Sequence, residues 1–187
     1  MQPDTHFAHY RILSRLGAGG MGEVYLAEDE RLYRKCALKV LSPQFAKDPA
    51  HLARFVQEAR AASAFNHPNV AHIYEIGAER GLHFLAMEYV EGETLETLLE
   101  ERPLPSGAAL SAALEVADAL DAAHTHGIIH RDIKPANLML DKRGRVKMLD
   151  FGLAKVATEA SAKSDETQFL SDPGRLLGTV SLSLIHI

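Results

Sequence analysis

His130-Arg131-Asp132-Ile133-Lys134-Pro135-Ala136-Asn137, followed thirteen residues later by Asp150-Phe151-Gly152, is the stretch on which the reading of this chain turns. It offers a carboxylate, a lysine two residues on, an amide five residues on and a second aspartate beyond. That is the set of groups phosphoryl transfer requires. A base must receive the proton of an attacking hydroxyl, a cation must offset charge on the moving phosphoryl group, and oxygen ligands must hold magnesium.

Upstream, Gly17-Ala18-Gly19-Gly20-Met21-Gly22 has the form G-x-G-x-x-G. Glycines let backbone amides approach phosphate oxygens with no side chain between. Dinucleotide-binding folds use the same spacing, but there the last glycine opens a helix. Here it runs into Glu23-Val24-Tyr25-Leu26-Ala27, which alternates as a strand does. Lys39 follows seventeen residues after Gly22, and Glu58 nineteen residues after Lys39. An ammonium at Lys39 reaches nucleotide phosphates if a carboxylate holds it in place. The plainer reading of the pair is two surface charges, one on a strand and one on a helix.

Together these motifs resemble those of the protein kinase superfamily. The glycine loop up to Val24 and Glu88-Tyr89-Val90-Glu91-Gly92 most resemble bacterial serine/threonine kinases of eukaryotic type, and the likeness runs from Tyr10 to Thr179. The resemblance implies ATP and Mg²⁺ as cofactors and serine or threonine hydroxyls of proteins as acceptors. It implies that Asp132 acts as catalytic base, chiefly by positioning the hydroxyl, with Lys134 on the γ-phosphate. Lys39, held by Glu58, would contact the α- and β-phosphates, and Asn137 and Asp150 would bind the metal. Leu16, Gly17, Ala18, Gly19, Gly20, Met21 and Gly22 would cover the nucleotide. Backbone groups of Glu88 and Val90 would bond adenine, Met87 would be the gatekeeper, and Val24, Ala37 and Met139 would sandwich the ring. Taken singly, each of these apolar residues reads as core packing.

Arg131, directly before the base, implies control by phosphorylation, since an arginine there can pair with a phosphorylated side chain. Candidate acceptors are Ser164, Thr167 and Ser171, then Thr158 and Ser161. Thr179 would bond to Asp132 and Lys134. Self-association for autophosphorylation is a further implied contact. His124, His126 and His130 crowd together, but the resemblance gives them a packing role rather than zinc.

The expected fold class is α+β, a bilobal kinase-like fold with an incomplete, mainly helical C-lobe. The N-lobe is expected to hold five strands (10–16, 23–28, 34–41, 70–77 and 82–89) and one helix, 50–65. Helices follow at 94–101 and 106–126, the second with Ser106 as N-cap, then a hairpin around Arg143-Gly144. Domains are placed at 1–9 (N-terminal extension), 10–91 (N-lobe), 92–181 (partial C-lobe) and 182–187 (a non-native tail).

With 47% hydrophobic and 24% charged residues, this is the composition of a soluble globular protein. A net charge of −5 provides no basic field for nucleic acid or anionic membrane. The single cysteine, Cys36, excludes an internal disulfide and fits a reducing cytoplasm. No run approaches a membrane span, although a longer parent protein would have room for an anchor beyond this region.

At 187 residues the chain is short against the roughly 250 of a kinase domain. After Gly178-Thr179-Val180 a kinase continues to an Ala-Pro-Glu-like sequence, whereas here Leu182-Ser183-Leu184-Ile185-His186-Ile187 follows. Those six residues read as translated sequencing adapter, so the expectation is a kinase broken within the activation segment. It should fold poorly or only in its N-lobe, because the Leu110–Leu120 face, Ile128, Ile129 and Leu149 would lack a partner. The alternatives are a non-catalytic ATP-binding scaffold and an inert gene fragment.

Overall fold

The computed structural model describes residues 1–19 and 21–150. Gly20 of the glycine loop lies outside the described residues. So do Phe151, Gly152, the candidate phosphosites between 158 and 171, Thr179, and the 182–187 tail. The chain divides into two units, Met1–His67 with Ala71–Val90, and Pro68–Val70 with the chain from Glu91 onward.

The first unit is a six-stranded sheet in the order β1-β2-β3-β4-β6-β5, with β1 His6–Phe7, β2 Tyr10–Gly19, β3 Gly22–Asp29, β4 Arg34–Leu41, β5 Ile73–Glu79 and β6 Leu82–Glu88. Every neighbouring pair is antiparallel. β4 lies inside the sheet and is buried from Cys36 to Leu41, as expected of a strand covered on both faces, with Lys39 the one charged residue in an otherwise apolar run. β2 buries Tyr10 and Ile12 and is exposed from Ser14 to Gly19. Two register shifts against β3, at Ile12/Ser14 and Arg15/Gly17, interrupt the ladder ahead of its glycine-rich end, which pairs again from Gly17 to Gly19 with Val24 to Gly22.

β5 and β6 are joined by Arg80-Gly81 alone, both at positive φ (51° and 77°), the backbone of a type I′ hairpin. The β3–β4 turn is held by Asp29, whose Oδ1 accepts from the amides of Arg31 (3.0 Å) and Leu32 (3.2 Å).

Helix α1, Pro49–Ser63, starts one residue ahead of the expected 50 and stops two short of 65. Asp48 fixes the start, its carboxylate accepting from Ala50 N and His51 N, with proline at the first helical position. His51, Phe55, Ala59 and Ala62 recur at helical spacing and are its buried stripe.

The sheet has one strand more than the five expected. Within residues 1–9, expected to precede the lobe as an extension, His6–Phe7 supply that extra strand by pairing with β2. Phe7 is 2% exposed and meets Phe84 edge-on with ring centroids 5.5 Å apart. A two-residue strand has too little length to announce itself by alternation.

The second unit holds β7 Gly92–Thr94, α2 Leu95–Glu101, α3 Ser106–Thr125, β8 Leu138–Asp141 and β9 Val146–Met148, with the strands in the order β7-β8-β9. Thr94 caps α2 by accepting from Thr97 N at 3.1 Å. The N-cap of α3 is Pro105 rather than the expected Ser106, and no side chain caps it. The helix closes at Gly127, which takes the left-handed φ of 71° that glycine adopts without strain. Its buried positions are Ala112, Ala119 and Ala123, whereas Leu110 and Leu114 are each 63% exposed. The leucine face is therefore the outer one, and the alanines allow close approach on the other side. Among the described residues no helix is long and apolar enough to cross a membrane.

Candidate functional site

In the first unit the expected nucleotide-contacting residues fall mainly on four adjoining strands, β2, β3, β4 and β6. Leu16, Gly17, Ala18 and Gly19 lie at the end of β2, Met21 lies in the turn, and Gly22 opens β3. Gly22 sits at φ 150°, and a Cβ there would meet Val40 O at 2.0 Å, so no other residue fits without moving β4. Val24 is opposite Lys39 across the β3–β4 ladder, and Ala37 is opposite Met87 across the β4–β6 ladder. Lys39 is 8% exposed. A lysine that deeply placed on a central strand is uncommon unless its ammonium is paired. Glu58 is on α1, the helix of the same unit. Glu88 ends β6 and donates its amide to His72 O at 2.8 Å, and Val90 is 6% exposed.

In the second unit the residues from 130 to 150 are drawn together by hydrogen bonds. Lys134 Nζ lies 2.8 Å from Asp132 Oδ2. Asn137 Nδ2 donates to the same Oδ2 at 2.9 Å and to Asp132 O at 2.8 Å. Three of the expected site residues therefore meet at one carboxylate, which is 22% exposed. The bend that makes this possible passes through Arg131 at φ 65°. A left-handed conformation at a non-glycine residue costs about 1–3 kcal/mol and persists only where its surroundings impose it. Asp150, at φ 56°, is the second such position in this stretch. Met139 lies on β8, opposite Thr94 and Lys147.

His130 ties the two ends together. It is 1% exposed, its Nε2 lies 2.9 Å from Leu149 O, and the Asp132 amide donates to its Nδ1 at 3.3 Å. These partners select the neutral ring protonated on Nε2, because Nδ1 must accept while Nε2 donates. Burial holds its pKa below the usual histidine value, in agreement with a neutral ring. His126 is also engaged with backbone, its Nδ1 lying 2.8 Å from Ala122 O. From the other side Leu149 N donates to Asn137 O at 2.8 Å, so the residue before Asp150 is held by both Asn137 and His130.

Asn137 spends its amide nitrogen on Asp132, which leaves Oδ1 as the atom it can offer a cation. With the Asp150 carboxylate this is a hard oxygen donor set, suited to magnesium, which takes one or two protein oxygens alongside water and phosphate. Among the described residues no group of three or more His, Cys, Asp or Glu gathers as a metal cluster would.

Two residues of this architecture were not singled out in the sequence. Asn69 and Glu115 both bond β9, Asn69 through Val146 O at 2.8 Å and Glu115 through Val146 N at 2.7 Å. A lone glutamate among the alanines of α3 is the only local trace of the second.

The profile of the protein kinase domain matches residues 10–173. Similar curated proteins include the probable serine/threonine-protein kinase PknB of Lactococcus lactis, 41% identical over 162 residues, covering 86% of this chain and 26% of that protein. Another is the serine/threonine-protein kinase PrkC of Bacillus subtilis, 44% identical over 146 residues, covering 78% and 22%. The chain thus spans about a quarter of the length of the curated relatives it matches. Among solved structures, the PknI kinase domain of Mycobacterium tuberculosis is 37% identical with a TM-score of 0.71, covering 82% of this chain and 62% of that one. The apo form of PpkA-294 superposes with a TM-score of 0.79 at 26% identity, covering 88% and 66%. A match over most of its residues, in profile, sequence and fold alike, makes this chain a member of the protein kinase domain family.

Proposed function

We propose that the chain is catalytic machinery of a serine/threonine protein kinase, transferring the γ-phosphate of ATP to hydroxyls of protein substrates. The observation that carries this reading is the shared Asp132 Oδ2, approached by Lys134 at 2.8 Å and by Asn137 at 2.9 Å. With that oxygen committed, the reading gives Oδ1 to the substrate hydroxyl. Asp132 orients the hydroxyl and receives its proton late, as a carboxylate suits a loose transition state. Lys134, 2.8 Å from that carboxylate, would offset charge on the transferred group. Lys39, held by Glu58, and the amides of the Gly17–Gly22 turn bind the phosphates. Because the Glu88 amide is given to His72, a bond from Glu88 to adenine would run through its carbonyl, with the Val90 amide as donor. Met87, Val24 and Ala37 supply apolar contact to the ring. Magnesium, when bound, would be held by Asn137 and Asp150 and would offset phosphate charge.

The lysine at the second position after the base favours serine or threonine acceptors over tyrosine. Self-association for autophosphorylation, with Arg131 reading the resulting phosphate, belongs to the same proposal, as does a cytoplasmic location. Turnover by this chain is expected to be weak beside its nucleotide binding. Leu110, Leu114 and Ile129 are 63%, 63% and 54% exposed, so this helix and loop lack apolar support on that side.

The test is the melting curve of the full chain with and without Mg-ATP, beside Lys39→Met and Asp150→Asn. At about 100 times Kd the nucleotide adds about 2.7 kcal/mol, a rise of about 5–10 °C for a chain of this size. The rise should vanish in both variants. No rise in the parent chain, or an equal rise in all three, would overturn the reading. A rise without phosphate transfer to a serine-bearing protein, even at long incubation, would favour the non-catalytic scaffold.

A further inference from the structure

β9 is an edge strand of its sheet, yet three of its outward backbone groups are bonded. Val146 N donates to Glu115 Oε2 at 2.7 Å, Val146 O accepts from Asn69 Nδ2 at 2.8 Å, and Met148 N donates to Asn69 O at 2.7 Å. Asn69 Nδ2 also donates to Glu115 Oε2 at 2.9 Å, closing the set. A glutamate and an asparagine thus do for β9 what a neighbouring strand would do. They are 46 residues apart in sequence and bond each other as well as the strand. Val146 and Met148 are fully buried, so a one-residue slip of β9 would expose both and is opposed by this clamp. Glu115 is partly buried, whereas Asp118 and Asp121, the other acidic residues of α3, are exposed.

Register at β9 matters because the strand runs directly into Leu149 and Asp150. We infer that Glu115, together with Asn69, is a positioning residue for Asp150: the clamp on β9 sets where the Asp150 carboxylate meets the metal relative to Asn137. The inference rests on the reading of Asp150 as a magnesium ligand. Neither residue touches the cation. Their effect passes through the backbone of 146–149, whose far end is held by Asn137 O and His130. Partners that orient a metal ligand without binding the metal typically govern 10–100-fold in metal affinity.

The experiment measures the affinity of the full chain for a fluorescent ATP analogue, first in EDTA and then over a Mg²⁺ titration. Glu115→Ala and Asn69→Ala should raise the Mg²⁺ concentration at half-effect about 10-fold or more, with the affinity in EDTA unchanged. Glu115→Gln retains an oxygen that can accept both bonds and should restore the parent midpoint. Asp150→Asn should abolish the Mg²⁺ response. If Asp150→Asn does so while Glu115→Ala leaves the midpoint in place, the positioning role is refuted and the metal assignment survives. If Asp150→Asn itself leaves the response intact, the metal assignment fails first and takes this inference with it. Should Glu115→Ala lose affinity even in EDTA, Glu115→Asp decides. Its shorter arm breaks the clamp, so a displaced midpoint supports the role and an unmoved one overturns it.

Discussion

The two units of this chain are built differently. The first is closed by large side chains: Tyr10, Tyr25, Phe55, Phe84, Ile12, Leu38, Leu41 and Leu85 are all buried almost completely. In the second, the comparably buried large residues among those described are Met148, Val146 and the polar His130, and α3 buries only alanines. There the order comes from side chains bonding backbone: Glu115 and Asn69 on β9, His130 and Asn137 around Leu149, and Asp141 on the amides of Arg143 and Arg145. Apolar burial is non-directional and tolerant, whereas each hydrogen bond adds little net stability and costs much when broken. The residues proposed to hold phosphates thus stand on a closed apolar core. Those proposed to perform transfer stand on a polar scaffold that fixes geometry more than it supplies stability.

The largest way to break the comparison is Phe84→Ala. This ring meets Phe7 and Tyr10 edge-on and covers Gly77 so closely that a Cβ there would lie 2.4 Å from it. Its loss should cost about 3–5 kcal/mol, read from urea denaturation. Alkylation of Cys36 is a convenient second readout, because burial pushes that thiol to about 12 and keeps it inert while the unit is folded. A cost under about 1 kcal/mol would mean that the first unit is not closed in the manner described.

A smaller effect sharpens the polar side of the contrast. His130 is kept neutral by burial, while in the unfolded chain it takes up a proton near pH 6.5. Its contribution is therefore complete above that pH and is lost as pH falls toward the lowered folded value, because only the unfolded state gains the proton. Urea titrations at pH 7.5 and 5.5 should differ by about 1 kcal/mol more in the parent chain than in His130→Gln. An equal difference in both would remove His130 from the scaffold.

The smallest expected effect is that of Leu110→Lys and Leu114→Lys. Each side chain is 63% exposed, so each change should stay within about 0.5 kcal/mol by thermal melting. A loss of 2 kcal/mol or more from either would show that the leucine face of α3 is covered in solution.

Much of the first unit was legible in the sequence, because strands of seven to ten residues carry alternation or an unbroken apolar run that local reading detects. The short β1 carried no such signal, and Asp48 was hidden as a cap because the helix was expected to begin later. In the second unit the periodicity of Leu110 and Leu114 marked a face expected to lack a partner, and both side chains are exposed, but it did not mark what the helix buries instead. The buried stripe proved to be the small residues Ala112, Ala119 and Ala123. Asp132, Lys134 and Asn137 could be named because they lie within one turn of chain. Asn69 and Glu115 could not, since a bond across 46 residues leaves no local pattern. The double role of His130 was equally out of reach, because it depends on where Leu149 returns.

Native-state hydrogen exchange on the full chain tests the contrast most directly. The account predicts that amides of β3, β4 and β6 exchange only through global opening of their unit, while those of α3 exchange faster by at least about 100-fold, a difference of about 2.7 kcal/mol. Protection in α3 equal to that in β4 would contradict it, and would mean that the second unit has an apolar core as complete as the first.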